Sequence, residues 1–283
     1  MLSLPTIPFT PEGPNVTRVG LGGEGVLRTF GQDLEARAVI QEALAQSITY
    51  FDTAPAYSGS QAYLGSIWRE QPEARKKIFQ TSKSAGRTFS QAMQDLESSL
   101  RTLHTDSLDL WQIHDLRTTQ DLRQLEASDG ALNAFIKARE EGLVKHLGVT
   151  GHHDPHILQT CVRNWPLDSV LLPANPAESN LGGFLDLVVQ QARDKNMAVI
   201  GMKCLGARNY VQPHHGLTAD KLIRYALFGT GLDVIIVGCS TPDEVQQLVQ
   251  AAQQGPLSED LQAELESMFA PQAPRLAFYR GKS

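Results

Sequence analysis

The chain has 283 residues, 41% of them hydrophobic and 20% charged, and a formal net charge of −6; this is the balance of an ordinary globular protein long enough to bury a sizeable core. A negative balance with no block of Lys or Arg excludes nucleic acid and an anionic membrane surface as principal partners, so small-molecule chemistry is the default. Three scattered cysteines without a CxxC spacing, no signal-like apolar run at the start and no stretch of about 20 apolar residues predict a reducing, cytoplasmic setting.

Residues 1–15, rich in Pro and Thr, read as an irregular lead-in or a short hairpin. Val16 to Leu21 reads as a strand, followed by a Gly-rich turn and a helix from an N-cap at Asp33 through Ala45. The pattern then recurs. Strands are expected at Ile48–Asp52, Lys77–Ser82 and Leu108–Ile113, with helices at Ser60–Arg69, Ser90–Leu103 and, after a polar loop, Gly130–Glu141. Further strands at Val144–Val149, Ser169–Leu172, Met197–Met202 and Val234–Val237 alternate with helices at Pro155–Arg163, Phe184–Asp194, Thr218–Phe228 and Thr241–Ala252. Pro242 suits a first helical turn. A last helix, Glu259–Met268, and the tail lie outside the repeat, so residues from about 256 to 283 form a C-terminal appendage.

Apolar strands alternating with amphipathic helices imply a parallel sheet covered by helices. Eight such units in about 250 residues fit one closed (β/α)8 TIM barrel, whereas a doubly wound sheet stops nearer six strands. In a barrel, chemistry belongs at the C-terminal strand ends. There the sequence places Asp52, Lys83 and His114 on three successive strands, with Tyr57 in the loop between the first two. Alternation of faces puts Tyr50 with Asp52, Thr81 with Lys83 and Gln112 with His114, all able to point into one mouth. Each residue alone has a bland reading as a turn cap, a solvated charge, a core histidine or loop packing; their coincidence on consecutive units does not. Reducing a carbonyl by hydride needs a proton donor at the oxygen. A phenol, whose pKa is about 10, becomes a better donor if Lys83 stabilises its anion, Asp52 orients Lys83, and His114 holds the carbonyl.

On these residues the chain resembles the aldo-keto reductase family. Phe51-Asp52-Thr53-Ala54-Pro55-Ala56-Tyr57 is similar to the FDTAxxY signature, Thr81-Ser82-Lys83 to its TSK segment, and Leu108 to His114 to LDLxxxH. The resemblance implies Tyr57 as general acid/base, Lys83 and Asp52 as its tuners, His114 as substrate orienter, and a carbonyl or alcohol substrate. It also implies a dinucleotide, NADP(H) with NAD(H) as the alternative, held over the last strand ends. Gly23 and Thr150 correspond to contacts near the nicotinamide, Thr150-Gly151 standing where the family has Ser-Asn, and Met202 stands where it often has an aromatic ring. Lys203 and Leu205 after the seventh strand, and Gly238, Ser240 and Gln247 after the eighth, are the remaining expected contacts. Leu248 replaces the family's usual Asn, and Asp243 and Glu244 stand where a cation beside a 2′-phosphate is expected; Lys203 or Arg208 offers one instead.

Three rival readings come from the same residues. Gly20-Leu-Gly22-Gly-Glu-Gly25 satisfies GxGxxG, but the helix begins only near Asp33, so the glycines read as a turn at the mouth rather than a Rossmann fingerprint. His152-His153-Asp154-Pro155-His156 beside His114 suggests a metal-dependent hydrolase, for which the first strand offers no ligand; the expected metal set is none. A non-catalytic dinucleotide-binding barrel acting as a redox sensor or accessory subunit is the third. Cys204 and Cys239, near the expected cofactor loops, carry an expectation of oxidation sensitivity.

Overall fold

Eight of the apolar runs close on one another. The computed structural model describes residues 3–281. Strands β1 (Thr6–Pro8) and β2 (Asn15–Thr17) form an antiparallel hairpin. The barrel consists of β3 (Val19–Gly25), β4 (Tyr50–Phe51), β5 (Phe79–Ser84), β6 (Leu108–Ile113), β7 (Val144–Thr150), β8 (Ser169–Pro173), β9 (Ala198–Met202) and β10 (Val234–Cys239). All pair parallel in chain order, and β10 pairs with both β9 and β3 to close the ring. Helices between strands bury one face each; Phe51, for example, points outward onto Trp68 of the helix Ser60–Glu70, ring centroids 5.5 Å apart.

The barrel's two ends differ. At the end where strands begin, Phe9 of the hairpin loop packs on Phe79 and His146 with ring centroids 4.5 and 5.3 Å away, and Arg18 donates to the carbonyls of Leu227, Leu232 and Asp233. That end is plugged. Tyr50, Leu110, Leu171, Ile200 and Val234 continue the apolar filling above it. At the other end the strands finish on polar residues, which is where a parallel barrel presents its chemistry.

Several boundaries differ from the sequence reading, each for a local reason. Val16 and Thr17 belong to the hairpin, and the first barrel strand starts at Val19. The glycines Gly20 to Gly25 lie inside β3, not in a turn, because close neighbours leave no room for side chains: a Cβ at Gly20 would stand 2.7 Å from Tyr50 Cδ1. Asp33 is the first helical residue, and the N-cap position is Gln32. The loop after His114 contains a helix, Thr119–Glu126, closed by a reciprocal cap between Thr118 and Asp121. A second unforeseen helix, Pro176–Leu181, is opened by Asn175, whose side chain accepts the N–H groups of Ala177 and Glu178. The expected helix from Phe184 is π-helical through Val188 before becoming α-helical to Asp194.

Candidate active site

Asp52 follows β4, Lys83 sits near the end of β5, and His114 follows β6, so all three project at the barrel mouth. Lys83 Nζ donates to Asp52 Oδ1 and Oδ2, both at 2.6 Å, and to the carbonyl of Thr53 at 2.9 Å. Thr81 Oγ1 donates to the same Asp52 Oδ1 at 2.8 Å. Both side chains are fully buried, and a buried charge of this kind persists only when paired and hydrogen-bonded. All three ammonium hydrogens are committed there. Lys83 therefore acts on Tyr57 from above its ring, with Nζ 4.7 Å from the centroid.

Tyr57 is carried by the turn Ala54–Tyr57, closed by Tyr57 N–H on the Ala54 carbonyl at 3.0 Å. Its ring has three close neighbours: Lys83, the Arg28 guanidinium 5.0 Å from the centroid, and the His114 ring at 5.6 Å, nearly perpendicular at 81°. Gly23 lies beneath, where a Cβ would come within 2.7 Å of Tyr57 Cδ2. Burial, then the charges of Asp52 and Glu24, push the phenol well above its ordinary value, with Arg28 opposing. Lys83 was expected to lower it; with its charge answered by Asp52, burial outweighs that help. Burial also lowers Lys83, against the pull of Asp52. His114 is lowered to about 3 by burial and then by Lys83, so its ring is neutral near pH 7.

Around the rim, His152 faces Asp115 at 3.5 Å and stacks edge-on against Tyr279 of the C-terminal tail, centroids 5.9 Å apart. Lys203, in a left-handed conformation with φ 58°, holds its ammonium 5.2 Å from the Tyr279 ring. The rest of the histidine run has structural work: Asp154 caps the helix Pro155–Asn164 by accepting His156 N–H, and His153 accepts Gly281 N–H. Among the described residues no group of three or more His, Cys, Asp or Glu is placed to hold a metal.

The expected cofactor contacts have separate fates. Gly23 and Met202 reach the mouth, and Lys203 stands on its rim without a carboxylate partner among the described residues. Leu205 is half-buried and packs inward on the core. Thr150 is occupied, its Oγ1 accepting Asp115 N–H at 2.9 Å. Ser240 N–H donates to Glu244 at 2.6 Å, and Arg208 bridges Glu244 at 2.6 Å and Ser240 Oγ at 3.1 Å. The start of the helix Pro242–Gln254 is thus served by the chain's own carboxylate. Gly238 packs against Glu24, and Gln247 is exposed on that helix. Arg208 is thereby engaged by Glu244, while the Lys203 ammonium lies over Tyr279. Cys204 and Cys239 are buried and pushed up to about 12, which opposes the expected oxidation sensitivity.

A sequence model of the aldo/keto reductase family matches residues 18–208, two thirds of the chain. The chain belongs to that family. Among its relatives, a methylglyoxal reductase DkgA of Yersinia pestis is 29% identical over 135 residues, covering 48% of this chain and 46% of the relative. An L-galactose dehydrogenase of Arabidopsis thaliana is 29% identical over 149 residues, covering 49% and 46%. The chain spans about half the length of the curated relatives it matches. The barrel is similar to the holo form of aldo-keto reductase AKR11C1 from Bacillus halodurans, with TM-score 0.76 and 17% identity over 95% of this chain and 96% of that one. It is also similar to an aldo/keto reductase from Brucella melitensis, with TM-score 0.73 and 22% identity over 95% and 99%. No helix among the described residues is long and apolar enough to cross a membrane.

Sequence reasoning gave no part to Arg28, Arg87 or the pairing of Tyr279 with Lys203. Arg28 ends the single 3-10 turn Val26–Arg28 and Arg87 sits in a loop, both too short for periodicity to carry information; Tyr279 had only the signal of an aromatic residue in the tail.

Proposed function

We propose that this single-domain barrel is a cytoplasmic carbonyl reductase, using NAD(P)H to reduce an aldehyde or ketone or, in reverse, to oxidise the alcohol. What supports this most is convergence: Lys83 at 4.7 Å and His114 at 5.6 Å from the Tyr57 ring, contributed by separate strand ends. A reduced nicotinamide, which Gly23, Met202 and Lys203 would hold, would supply hydride to the carbonyl carbon. Tyr57 gives its phenolic proton to the carbonyl oxygen as negative charge gathers there. His114, neutral, offers its ring N–H to the same oxygen and fixes the carbonyl's orientation. The phenolate left behind lies in the field of Lys83 and Arg28, while Asp52 keeps Lys83 in place.

Gly23, Met202, Lys203 and Arg208 are the groups we assign to the dinucleotide, with Gly238, Ser240, Leu205 and Gln247 along its length and Thr150 acting through the loop it braces. NADP(H) is the first reading by family. NAD(H) is the second, favoured by Glu244, whose charge already holds Ser240 N–H and Arg208 and would repel a 2′-phosphate. Fluorescence titration with both dinucleotides, followed by a panel of aldehydes, tests the assignment. Consumption of reduced cofactor with an aldehyde is the expected result; tight binding without turnover across the panel would favour the non-catalytic sensor.

A further inference from the structure

We propose that Arg87 is a positioning residue for His114: it grips the turn that carries the imidazole and so keeps the ring facing Tyr57, a role that rests on the reading of Tyr57 and His114 given above. Arg87 lies in the loop after β5, four residues beyond Lys83, and its side chain crosses to the loop after β6. Its Nη1 donates to the His114 carbonyl at 3.2 Å and its Nη2 to the Asp115 carbonyl at 3.1 Å. Nη1 also reaches the Ala85 carbonyl at 3.2 Å, and Nε donates to Asp121 Oδ1 at 2.9 Å. A planar fork with fixed donor directions bridges two successive carbonyls through its two Nη atoms while its Nε is held by a carboxylate, a spread of donors that the single nitrogen of a lysine does not reproduce.

The turn needs such a grip. Asp115 has φ 55°, a left-handed conformation that a non-glycine residue keeps only where its surroundings over-determine it. On the N–H side, three bonds hold it: His114 to the Ser84 carbonyl at 2.8 Å, Asp115 to Thr150 Oγ1 at 2.9 Å, and Leu116 to the Thr150 carbonyl at 2.9 Å. On the carbonyl side, Arg87 holds both peptide groups. Asp121, which aims Arg87, is itself fixed, because its other oxygen accepts the N–H groups of Arg117 at 3.1 Å and Thr118 at 2.9 Å. The helix cap after β6 and the histidine are therefore joined through one guanidinium. Four of the five N–H donors of Arg87 are turned to the protein, two of them to the turn that carries the imidazole, so its effect passes through His114.

The test compares wild type with Arg87→Ala and Arg87→Lys by steady-state kinetics, by dinucleotide titration and by NMR of the His114 ring. Loss of a catalytic group's placement acts on the reacting geometry, so kcat should fall about tenfold or more in both variants. KM and dinucleotide affinity should stay within about twofold. The His114 ring resonances should shift in Arg87→Lys, and Thr150→Val, which frees the N–H side of the same turn, should shift them too. Were Arg87→Ala to fail to fold, Arg87→Lys carries the test alone. A kcat within about twofold of wild type, or full rescue by lysine, would overturn the proposal. A wild-type enzyme inert toward every carbonyl would overturn the functional reading instead, and the NMR comparison would still decide the role of Arg87: unmoved His114 resonances in Arg87→Lys would refute it.

Discussion

For the proposed reduction, Tyr57 would give up a proton in surroundings that resist its ionisation. Burial and the carboxylates of Asp52 and Glu24 raise the phenol's pKa, so across the physiological range it is the fully protonated acid. Lys83 and Arg28, 4.7 and 5.0 Å from its ring, matter once the proton has left, when their fields meet a new negative charge rather than a neutral phenol. His114, lowered to about 3, is neutral over the same range. The pH dependence follows with a definite sign. Both groups hold the form needed for carbonyl reduction from about pH 5 to pH 9, so kcat/KM for reduction should be flat there, falling only when the phenol ionises in the alkaline range. Oxidation of the alcohol needs the phenolate and should keep rising with pH. An inflection near pH 6.5 in reduction, removed by His114→Gln, would contradict this assignment. These four residues were legible in the sequence because each ends a strand or sits in the loop next to one, where alternation of faces says where a side chain points. Arg28 and Arg87 were not, because their contacts with Tyr57 and with the His114 turn cross between segments that only the closed barrel brings together.

At the scale of elements, the alternation of strand and helix read through cleanly, and the two helices that were missed share one cause. The helices Thr119–Glu126 and Pro176–Leu181 are short and bury few apolar residues, so periodicity is silent and only the caps Thr118–Asp121 and Asn175-Pro176 mark them. The tail is the element with most consequence for the mouth. Arg280 pairs with Glu178, donates to the carbonyl of Gly182 at 2.6 Å and lies over the Phe184 ring, while Tyr279 accepts from Asn175 at 2.9 Å. Glu178 is fully buried. Removing the cation leaves an uncompensated charge, so Arg280→Ala should cost about 3–5 kcal/mol of stability. It should also free Tyr279 from beside His152 and Lys203. Chemical denaturation measures the first effect; a loss below about 1 kcal/mol would mean that the tail is not anchored through this pair.

For the whole molecule, the family match over residues 18–208 contains Asp52, Tyr57, Lys83 and His114 and stops before β10 and the tail. The barrel continues past that point with the same topology, and fold likeness to solved aldo-keto reductases covers 95% of the chain. The two regions differ in what they carry: the matched strands bring Asp52, Lys83 and His114 together with Tyr57, while the later segments hold Arg208 closed on Glu244 and Tyr279 under Lys203. Proton delivery by Tyr57 is the central claim, and single-turnover oxidation of bound reduced dinucleotide by an aldehyde, compared between wild type and Tyr57→Phe, tests it most directly. In Tyr57→Phe the dinucleotide affinity should stay within about twofold and the rate should fall by about 10²-fold or more, the range a positioned general acid supplies. A Tyr57→Phe enzyme that transfers hydride at the wild-type rate would contradict it.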